Sequence, residues 1–548
     1  MCGIWCFMVG KGAKPAAETC STCVAQLEAR GPEFTAIQPD DAVILGFTRL
    51  AINGLTPLGH QPFVDGTTSL VCNGEIYNHK ELAERHAIPT PEGTSDCFVI
   101  LQLLKRLTPM QVCRTLDGVF AFVHYDKAAN TVLVARDPYG IRPLFEAVTE
   151  DGARAFASEL KGFKGLALQS VAPFPPGTFK RYNAKSGECL DSQRYHTVPH
   201  VKLAAYSNTA RNGRADAKVA LRTALIAAVH KRLDCERPVG ALLSGGLDSS
   251  LIASIAARHL RTKGQRLHTF SIGMPGSTDL AYAKMVAEHI GSVHHEIVKT
   301  REEFLAAIPE VIRVAETYDI TSVRATVGNY LVGKYIRDTT DIKVVFNGDG
   351  SDEVGGGYLY FYKAPTDEEF EAETERLLEE IHLYDVLRSD RGIAANGLEA
   401  RTPFLDKTVV ATWKAMDTKF RRPSKGSLDG RGVAIEKYIL RQAFEEGDWL
   451  PYQVLYRKKE AFSDGVSSAE TKWYELPEDA GVDVGTAAHL HNPPRTQEAY
   501  RYRMLFNNLY GDAAATLIPR MWMPRWVEGA TDPSARTLTG LYSPLVEL

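Results

Sequence analysis

No run of apolar residues in this chain approaches the roughly 20 that a bilayer span needs, and no basic stretch precedes the apolar start MCGIWCFMVG. A membrane span and a secretory leader are therefore not expected. Charge of one sign is lacking too: 63 Lys and Arg stand against 67 Asp and Glu, for a net charge of -4. That argues against a nucleic-acid binder working through a basic surface, and it gives a membrane surface nothing to attract. Cysteine is missing after position 235; the nine present lie at 2, 6, 20, 23, 72, 97, 113, 189 and 235. An odd number at irregular spacing speaks against a disulfide framework and for a reduced protein of the cytosol. Cys20 and Cys23 form a CxxC, but no second pair with zinc spacing follows, so they read as small buried residues of a helix. Internal repeats and low-complexity tracts are absent as well.

What is present is a chain of 548 residues, too long for one hydrophobic core and sized for two or more domains. In its first part, AVILGFTRLAI, SLVCNGEIY, VFAFVHYD and TVLVARD are apolar or β-branched runs of strand length, interrupted by a helical stretch over 95–107. This pattern predicts a layered α+β domain of two sheets covered by helices, over 2–184. Residues 185–212 are polar and irregular and read as a linker. Beyond them helix and strand alternate: helix 216–232, strand 239–243, helix 249–261, strand LHTFSIGM, helix LAYAKMVAEHI and strand HHEIV, with IKVVFNGDG as a further strand. Alternation of this kind predicts a doubly wound α/β domain with a parallel sheet. It is assigned to 213–536, mainly helical beyond about residue 365, with a tail over 537–548.

Cys2 sits where loss of the initiator Met would put its thiol and the chain's own α-amino group on one residue. An α-amino group has a pKa of about 8, so it can serve as base for its own side chain, and the thiolate can attack an amide carbonyl and expel ammonia. Asn73-Gly74-Glu75 ends an apolar strand, where an Asn amide and a Gly backbone N–H can converge on an oxyanion. Arg49, at another strand end, can pair bidentately with a carboxylate. Asp96, before a helix, can bind an α-amino group or merely cap that helix.

MCGIW, RGP, RLAI, NGEIYNH, LDGVFAF and RDPYGIRPL resemble, in order and spacing, the class II glutamine amidotransferases of N-terminal-nucleophile fold. The resemblance implies that Cys2 is the nucleophile and that Asn73 and Gly74 form the oxyanion hole. It also implies that Arg49, Leu50, Ala51, Ile52, Asn53, Glu75 and Asp96 surround glutamine. The chain departs from that family's usual pattern at Ala29 and Glu33, which flank RGP, and at Thr48.

A second constellation, SGGLDSS over 244–250, follows a strand and opens a helix. Gly245 and Gly246 permit a tight turn whose N–H groups face an anion at a helix N-terminus. Ser244, Ser249 and Ser250 add hydroxyl donors. Asp248 would repel a phosphate unless a cation stands between them, which implies Mg²⁺; no Lys follows the glycines, so this is no Walker loop. Asp352, in GDGSDE over 348–353, can offer the same ion a second carboxylate, the alternative for that stretch being a plain exposed acidic loop. SGGLDSS resembles the PP-loop of ATP pyrophosphatases. FSIGMPGSTDL, ETYDITSVRA, GGGYLYFYKAP, GLEARTPFLD, KKEAFSDG and TDPSAR resemble the asparagine synthetases, so that the likeness covers nearly the whole chain.

This second resemblance implies that Leu242, Ile272, Asn347 and Gly348 hold the adenosine of ATP and that Lys459 steadies the pyrophosphate. Thr321, Arg324, Glu353 and Asp385 would lie on the aspartate side. Where the family reads Ser-Gly-Glu-Gly-Ser-Asp-Glu, this chain has Asn347-Gly-Asp349-Gly-Ser-Asp-Glu353. The family's glutamate is tied to forming β-aspartyl-AMP and to proton transfer from ammonia. Asp349 is shorter by one methylene, about 1.5 Å of reach, and a misplacement of about 1 Å can cost on the order of 10²-fold in rate.

Taken together, the resemblances imply glutamine hydrolysis at Cys2, adenylation of aspartate by ATP, and amidation by ammonia through a sheltered tunnel, in a homodimer. Two other readings are an amidotransferase acting on a different carboxylate and a glutaminase with an impaired synthetase site. A non-enzymatic interaction protein is the third. Cys2 and SGGLDSS oppose the last, because neither is needed without catalysis.

Overall fold

A computed structural model describes residues 1–423, 435–467, 473 and 491–530; the TDPSAR motif and the tail lie outside the described residues. The chain divides into two units: Met1–Thr197 with Asp234–Pro238 and Ile393–Glu399, and Val198–Leu233 with Val239–Gly392 and Ala400–Leu548.

The first unit is built on two six-stranded sheets. Its strands are β1 (Gly3–Met8), β2 (Phe34–Gln38), β3 (Val43–Arg49), β4 (Phe63–Asp65), β5 (Thr68–Ile76), β6 (Gly118–Asp126), β7 (Thr131–Arg136), β8 (Phe145–Thr149), β9 (Arg154–Ala157), β10 (Leu168–Pro173), β11 (Thr178–Asn183) and β12 (Cys189–Arg194). They run in the orders β10-β8-β9-β1-β3-β2 and β12-β11-β7-β6-β5-β4. Because successive strand side chains point to opposite faces, each strand feeds two layers. Ile4, Cys6, Leu45, Phe47, Val71, Val123 and Val134 share one apolar cluster between the sheets. Leu70, Cys72, Phe120, Phe122 and Leu133 share a second with Ile100 and Leu101 of the helix Phe98–Leu104. Sheets covered on both faces need continuously apolar strands, which is why VFAFV shows no polar alternation. On the outer side of the other sheet the helix Ala17–Ala25 carries Cys20 and Cys23, both buried and free.

The RDPYGIRPL segment is tied down by its own side chains. Arg136 donates to the carbonyls of Arg142 (2.8 Å), Phe174 (2.7 Å) and Gly140 (2.8 Å). Asp137, wholly buried, accepts from the backbone N–H groups of Tyr139, Ile141 and Arg142 at 3.1, 2.9 and 2.8 Å. A buried ion paired with backbone groups in this way shapes an irregular segment that has no ladder of its own.

Two local expectations change. The stretch read as a linker contains β12, paired antiparallel with β11; its sequence CLDSQR is exposed on both faces, so no apolar signal marks it. The helix expected over 95–107 is confined to Phe98–Leu104. Asp96 does not cap it: its carboxylate turns to the strand and accepts from the N–H of Ile76 at 2.6 Å.

In the second unit, β13 (Val239–Leu242), β14 (His268–Gly273), β15 (Val293–Val298), β16 (Val344–Phe346) and β17 (Glu399–Arg401) form a sheet of order β15-β14-β13-β16-β17. The pairs β13–β14, β14–β15 and β13–β16 are parallel, as the alternation of helix and strand requires. The helix Leu247–Thr262 packs Leu251, Ile252 and Ile255 inward, and Thr278–Ile290 ends at Gly291 in the left-handed region, φ +64°. IKVVFNGDG yields only the short strand β16, because the chain turns at once into the helix Ser351–Gly355 through Gly350, φ +90°. Beyond residue 365 the described chain is mainly helical, beginning with Asp367–Glu380. Sites in parallel sheets form beyond the carboxyl ends of strands, and here Leu242, Ile272 and Asn347 mark those ends.

Candidate active sites

Cys2 begins the chain's run into β1, at the wall of a small cavity of about 20 Å³. Arg49, Leu50, Ala51, Ile52, Asn53, Gly74, Glu75 and Asp96 share that wall, together with Met1. Eight glutamine-side residues from three stretches of sequence are thus brought to one place with Cys2. The Cys2 thiol lies 3.7 Å from the carbonyl of Leu50. Burial pushes its pKa up to about 11, against the pull of the chain's own amino group and of Arg49. Burial likewise lowers the Met1 amine to about 6. With Met1 in place the thiol is protonated at neutral pH and the cavity has no room for an amino acid.

Asn73 lies in β5 beside this cavity, fully buried, and neither its amide nitrogen nor its carbonyl oxygen has a partner among the described residues. An unpaired buried polar group costs about 1–3 kcal/mol, a cost that structures tolerate where a ligand supplies the missing bond. Gly74 is required by crowding: a Cβ there would stand 2.4 Å from the carbonyl oxygen of Val119. Asn53 donates to Glu75 at 2.8 Å, which orients that carboxylate. Arg49 donates to the carbonyl of Thr56 at 3.0 Å and to that of Gly54. Desolvation outweighs the hydrogen bonds from Ile76 and Ser95 and raises the pKa of Asp96.

Two of the three positions that depart from the amidotransferase pattern, Thr48 and Glu33, have local tasks. Thr48 accepts from the N–H of Gly3 at 3.1 Å and donates to the carbonyl of Leu27 at 3.0 Å. Glu33 accepts from the N–H of Ala51 at 2.8 Å. One residue that carried no assigned role is Arg30, which donates to the carbonyl of Cys2 (3.0 Å) and pairs with Glu159 (2.6 Å). Its only signal was its place in RGP.

The second unit holds a larger cavity, about 210 Å³, at the carboxyl ends of β13, β14 and β16. Leu242, Ser244, Gly246, Asp248, Ser249, Ile272, Asn347 and Gly348 line it, as do Thr321, Asp349, Asp352, Glu353, Asp385 and Lys459. Gly245 makes the turn instead, at φ +71° and with a Cβ position 2.5 Å from the backbone N of Ala283. Ser250 is buried behind the loop. The hydroxyls of Ser244 and Ser249 meet at 3.0 Å, and the N–H of Gly246 points to Ser244 at 3.3 Å. The Thr321 hydroxyl has no partner among the described residues.

Arg324 is not brought to the cavity. It is buried and spent on Glu498 in a two-point pair at 2.9 and 2.5 Å, so the aspartate-side role expected of it is not supported by its placement.

Asp248 and Asp352 face a common point, and that point is held by Lys437, whose Nζ lies 2.5 Å from one carboxylate and 2.6 Å from the other. Lys459 adds a contact to Asp352 at 2.5 Å. Burial alone would raise the pKa of Asp352; the two ammonium groups overcome it and hold the carboxyl far below the usual range. Two carboxylates converging across the mouth of a phosphate loop suit Mg²⁺, which takes one or two carboxylates and fills its shell with water and phosphate oxygens. Lys437 would have to withdraw for such an ion to enter. Arg388 also went unread: it faces Asp385 and, at 3.4 Å, Asp349. Tyr358 donates to Glu353 and to Asp385, the latter at 3.4 Å.

Comparison with known proteins matches both halves. The glutamine amidotransferase domain profile covers residues 1–218, and the asparagine synthase profile covers 220–375 and 365–528. The glutamine-hydrolysing asparagine synthetase of Gallus gallus is 41% identical over 100% of this chain and 100% of its own length. That of Homo sapiens is 40% identical over 98% of this chain and 99% of its own. Among solved structures, the glutamine phosphoribosylpyrophosphate amidotransferase of B. subtilis is similar at TM-score 0.31 and 18% identity, over 54% of this chain and 80% of that one.

Proposed function

The chain belongs to the glutamine-hydrolysing asparagine synthetases, and from that membership we propose how its two sites divide the reaction. ATP, L-aspartate, L-glutamine and water give L-asparagine, L-glutamate, AMP and diphosphate.

In the first site, removal of Met1 empties the Cys2 pocket and leaves the α-amino group of Cys2 as base for its thiol. The thiolate attacks the side-chain amide carbon of glutamine. The negative charge on oxygen is met by the unpartnered Asn73 amide and the N–H of Gly74. Ammonia leaves, and water cleaves the resulting thioester to glutamate. Arg49 faces the substrate carboxylate and Asp96 with Glu75 its amino group. Arg30 fixes the backbone of Cys2.

In the second site the SGGLDSS turn receives the phosphates, and the strand ends at Leu242, Ile272 and Asn347 receive adenosine. The β-carboxylate of aspartate displaces pyrophosphate from ATP, and Lys437 and Lys459 steady the charge that departs. Ammonia then attacks β-aspartyl-AMP and AMP leaves, with Asp349 placed to take the proton. Asp248 and Asp352 would hold Mg²⁺, which supplies neutralising charge to the phosphates when bound. The nine free thiols fit a reducing compartment, the cytosol.

The observation that carries the synthetase half is the convergence of Asp248, Asp352, Lys437 and Lys459 at the phosphate turn, next to Asp349. The test is aspartate-dependent pyrophosphate release with glutamine or with ammonium. Asparagine should appear in step with pyrophosphate. Cys2→Ala should abolish support by glutamine and keep support by ammonium. Glutamate formation without aspartate-dependent pyrophosphate would refute the synthetase role and favour the impaired-site reading.

A further inference from the structure

The turn after β16 departs from the family pattern twice, and the two departures touch each other. Asn347, buried at the strand end, uses its whole side-chain amide. Its Nδ2 donates to Asp349 Oδ2 at 2.9 Å and to the Ser389 hydroxyl at 2.5 Å. Its carbonyl oxygen accepts from the N–H of Asp349 at 3.3 Å. The other oxygen of Asp349 faces Arg388 at 3.4 Å. Asp349 is thus gripped from two sides, one oxygen by an amide and one by a guanidinium.

A serine at 347 could not do this. A hydroxyl carries one proton to donate, whereas an amide nitrogen carries two and its oxygen accepts besides. Reach points the same way. Going from Ser to Asn sets the polar atom one bond farther from the backbone, and going from Glu to Asp draws the carboxylate back by one bond, about 1.5 Å. The changes are opposite in direction and close in size, and they meet in a hydrogen bond.

We propose that Asn347 and Asp349 are a matched pair, in which Asn347 is the positioning residue that sets the Asp349 carboxylate at the distance the longer family glutamate reaches alone. This rests on the synthetase reading above and answers the question raised by the shortened side chain: the site is rebuilt, not decayed.

The test is a double-mutant cycle of N347S, D349E and N347S/D349E, assayed by aspartate-dependent pyrophosphate release with ammonium. Each single variant should lose roughly 10- to 100-fold in kcat, the scale of a misplacement of about 1 Å. The double variant should recover to within about threefold of wild type. Glutamine hydrolysis at Cys2 and the thermal transition serve as controls and should not move in any of the three.

A double variant whose loss equals the product of the single losses overturns the pairing, as does an N347S that retains wild-type kcat. Should N347S also lose glutaminase and its thermal transition, the double variant decides. The pair predicts that it folds and turns over; an Asn347 needed only for folding predicts that it fails like N347S. Wild-type enzyme that hydrolyses glutamine but releases no aspartate-dependent pyrophosphate would refute the synthetase reading and the pair with it.

Discussion

Replacing Lys437, whose backbone is left-handed at φ +51°, by methionine keeps an unbranched side chain one atom shorter and removes the ammonium group. What remains is a pair of carboxylates that faced one ammonium at 2.5 and 2.6 Å, at a side chain 1% exposed. Breaking a buried pair on one side costs about 3–5 kcal/mol. An upper bound comes from proton uptake. If one carboxylate, with an ordinary pKa of about 3.9, protonates at pH 7, the cost is about 4 kcal/mol. Lys459 still holds Asp352, so about 3 kcal/mol is expected. The sign with pH follows from the depressed Asp352: its stabilisation is present above the unfolded pKa and is lost as pH falls below about 4. The comparison therefore belongs at pH 7. Five of the six tryptophans, Trp413, Trp449, Trp473, Trp522 and Trp526, lie in the second unit, so tryptophan fluorescence in urea reports chiefly on the relevant transition. Magnesium supplies the second arm. In K437M the ion can enter the vacated point, and 10 mM against a millimolar affinity adds about 1.4 kcal/mol; in the wild type, where Lys437 competes, it should add much less. An unchanged urea transition in K437M, or the same magnesium increment in both proteins, would refute the reasoning.

Gly74→Ala places a Cβ 2.4 Å from the Val119 carbonyl, where backbone rather than a side chain must yield. About 3 kcal/mol, the upper end for overpacking, should be lost from the first unit in urea unfolding, and glutamine hydrolysis should go with it. Arg324→Met should cost about 3–5 kcal/mol by leaving the Glu498 carboxylate buried without its cation, with the neutral Tyr502 hydroxyl still donating to it at 2.7 Å. R324M/E498M should regain most of that stability with KM for aspartate unchanged, whereas a raised KM in the double variant would return Arg324 to the substrate.

Much of this molecule was legible because its signals are local. The alternation of helix and strand after residue 213 follows from apolar periodicity, and Cys2, Asn73 and the SGGLDSS turn announce themselves within a few residues. Three things were not legible, each for a reason of distance or polarity. Lys437 meets Asp248 across 189 positions of sequence, and nothing in IEKYILR marks it as a partner of two carboxylates. The resemblance puts Arg324 on the aspartate side, and its pairing with Glu498, 174 residues on, has no local signal. β12 is a strand by virtue of its pairing with β11 alone, since an edge strand exposed on both faces needs no apolar pattern. Asp349 shows the converse: its departure was visible at once, but its meaning required the contact with Asn347.

The RDPYGIRPL segment carries a consequence for how relatives of this chain are sorted. The side chains of Arg136 and Asp137 hold the chain's own backbone, so these two positions of the most conspicuous motif of the first unit report architecture. A chain that had lost its nucleophile could keep the motif untouched, because the bend it enforces is needed to complete the sheets whether or not glutamine ever arrives. Counting activities in a collection of such sequences by this signature would overcount; the residues to read are Cys2 and Asn73.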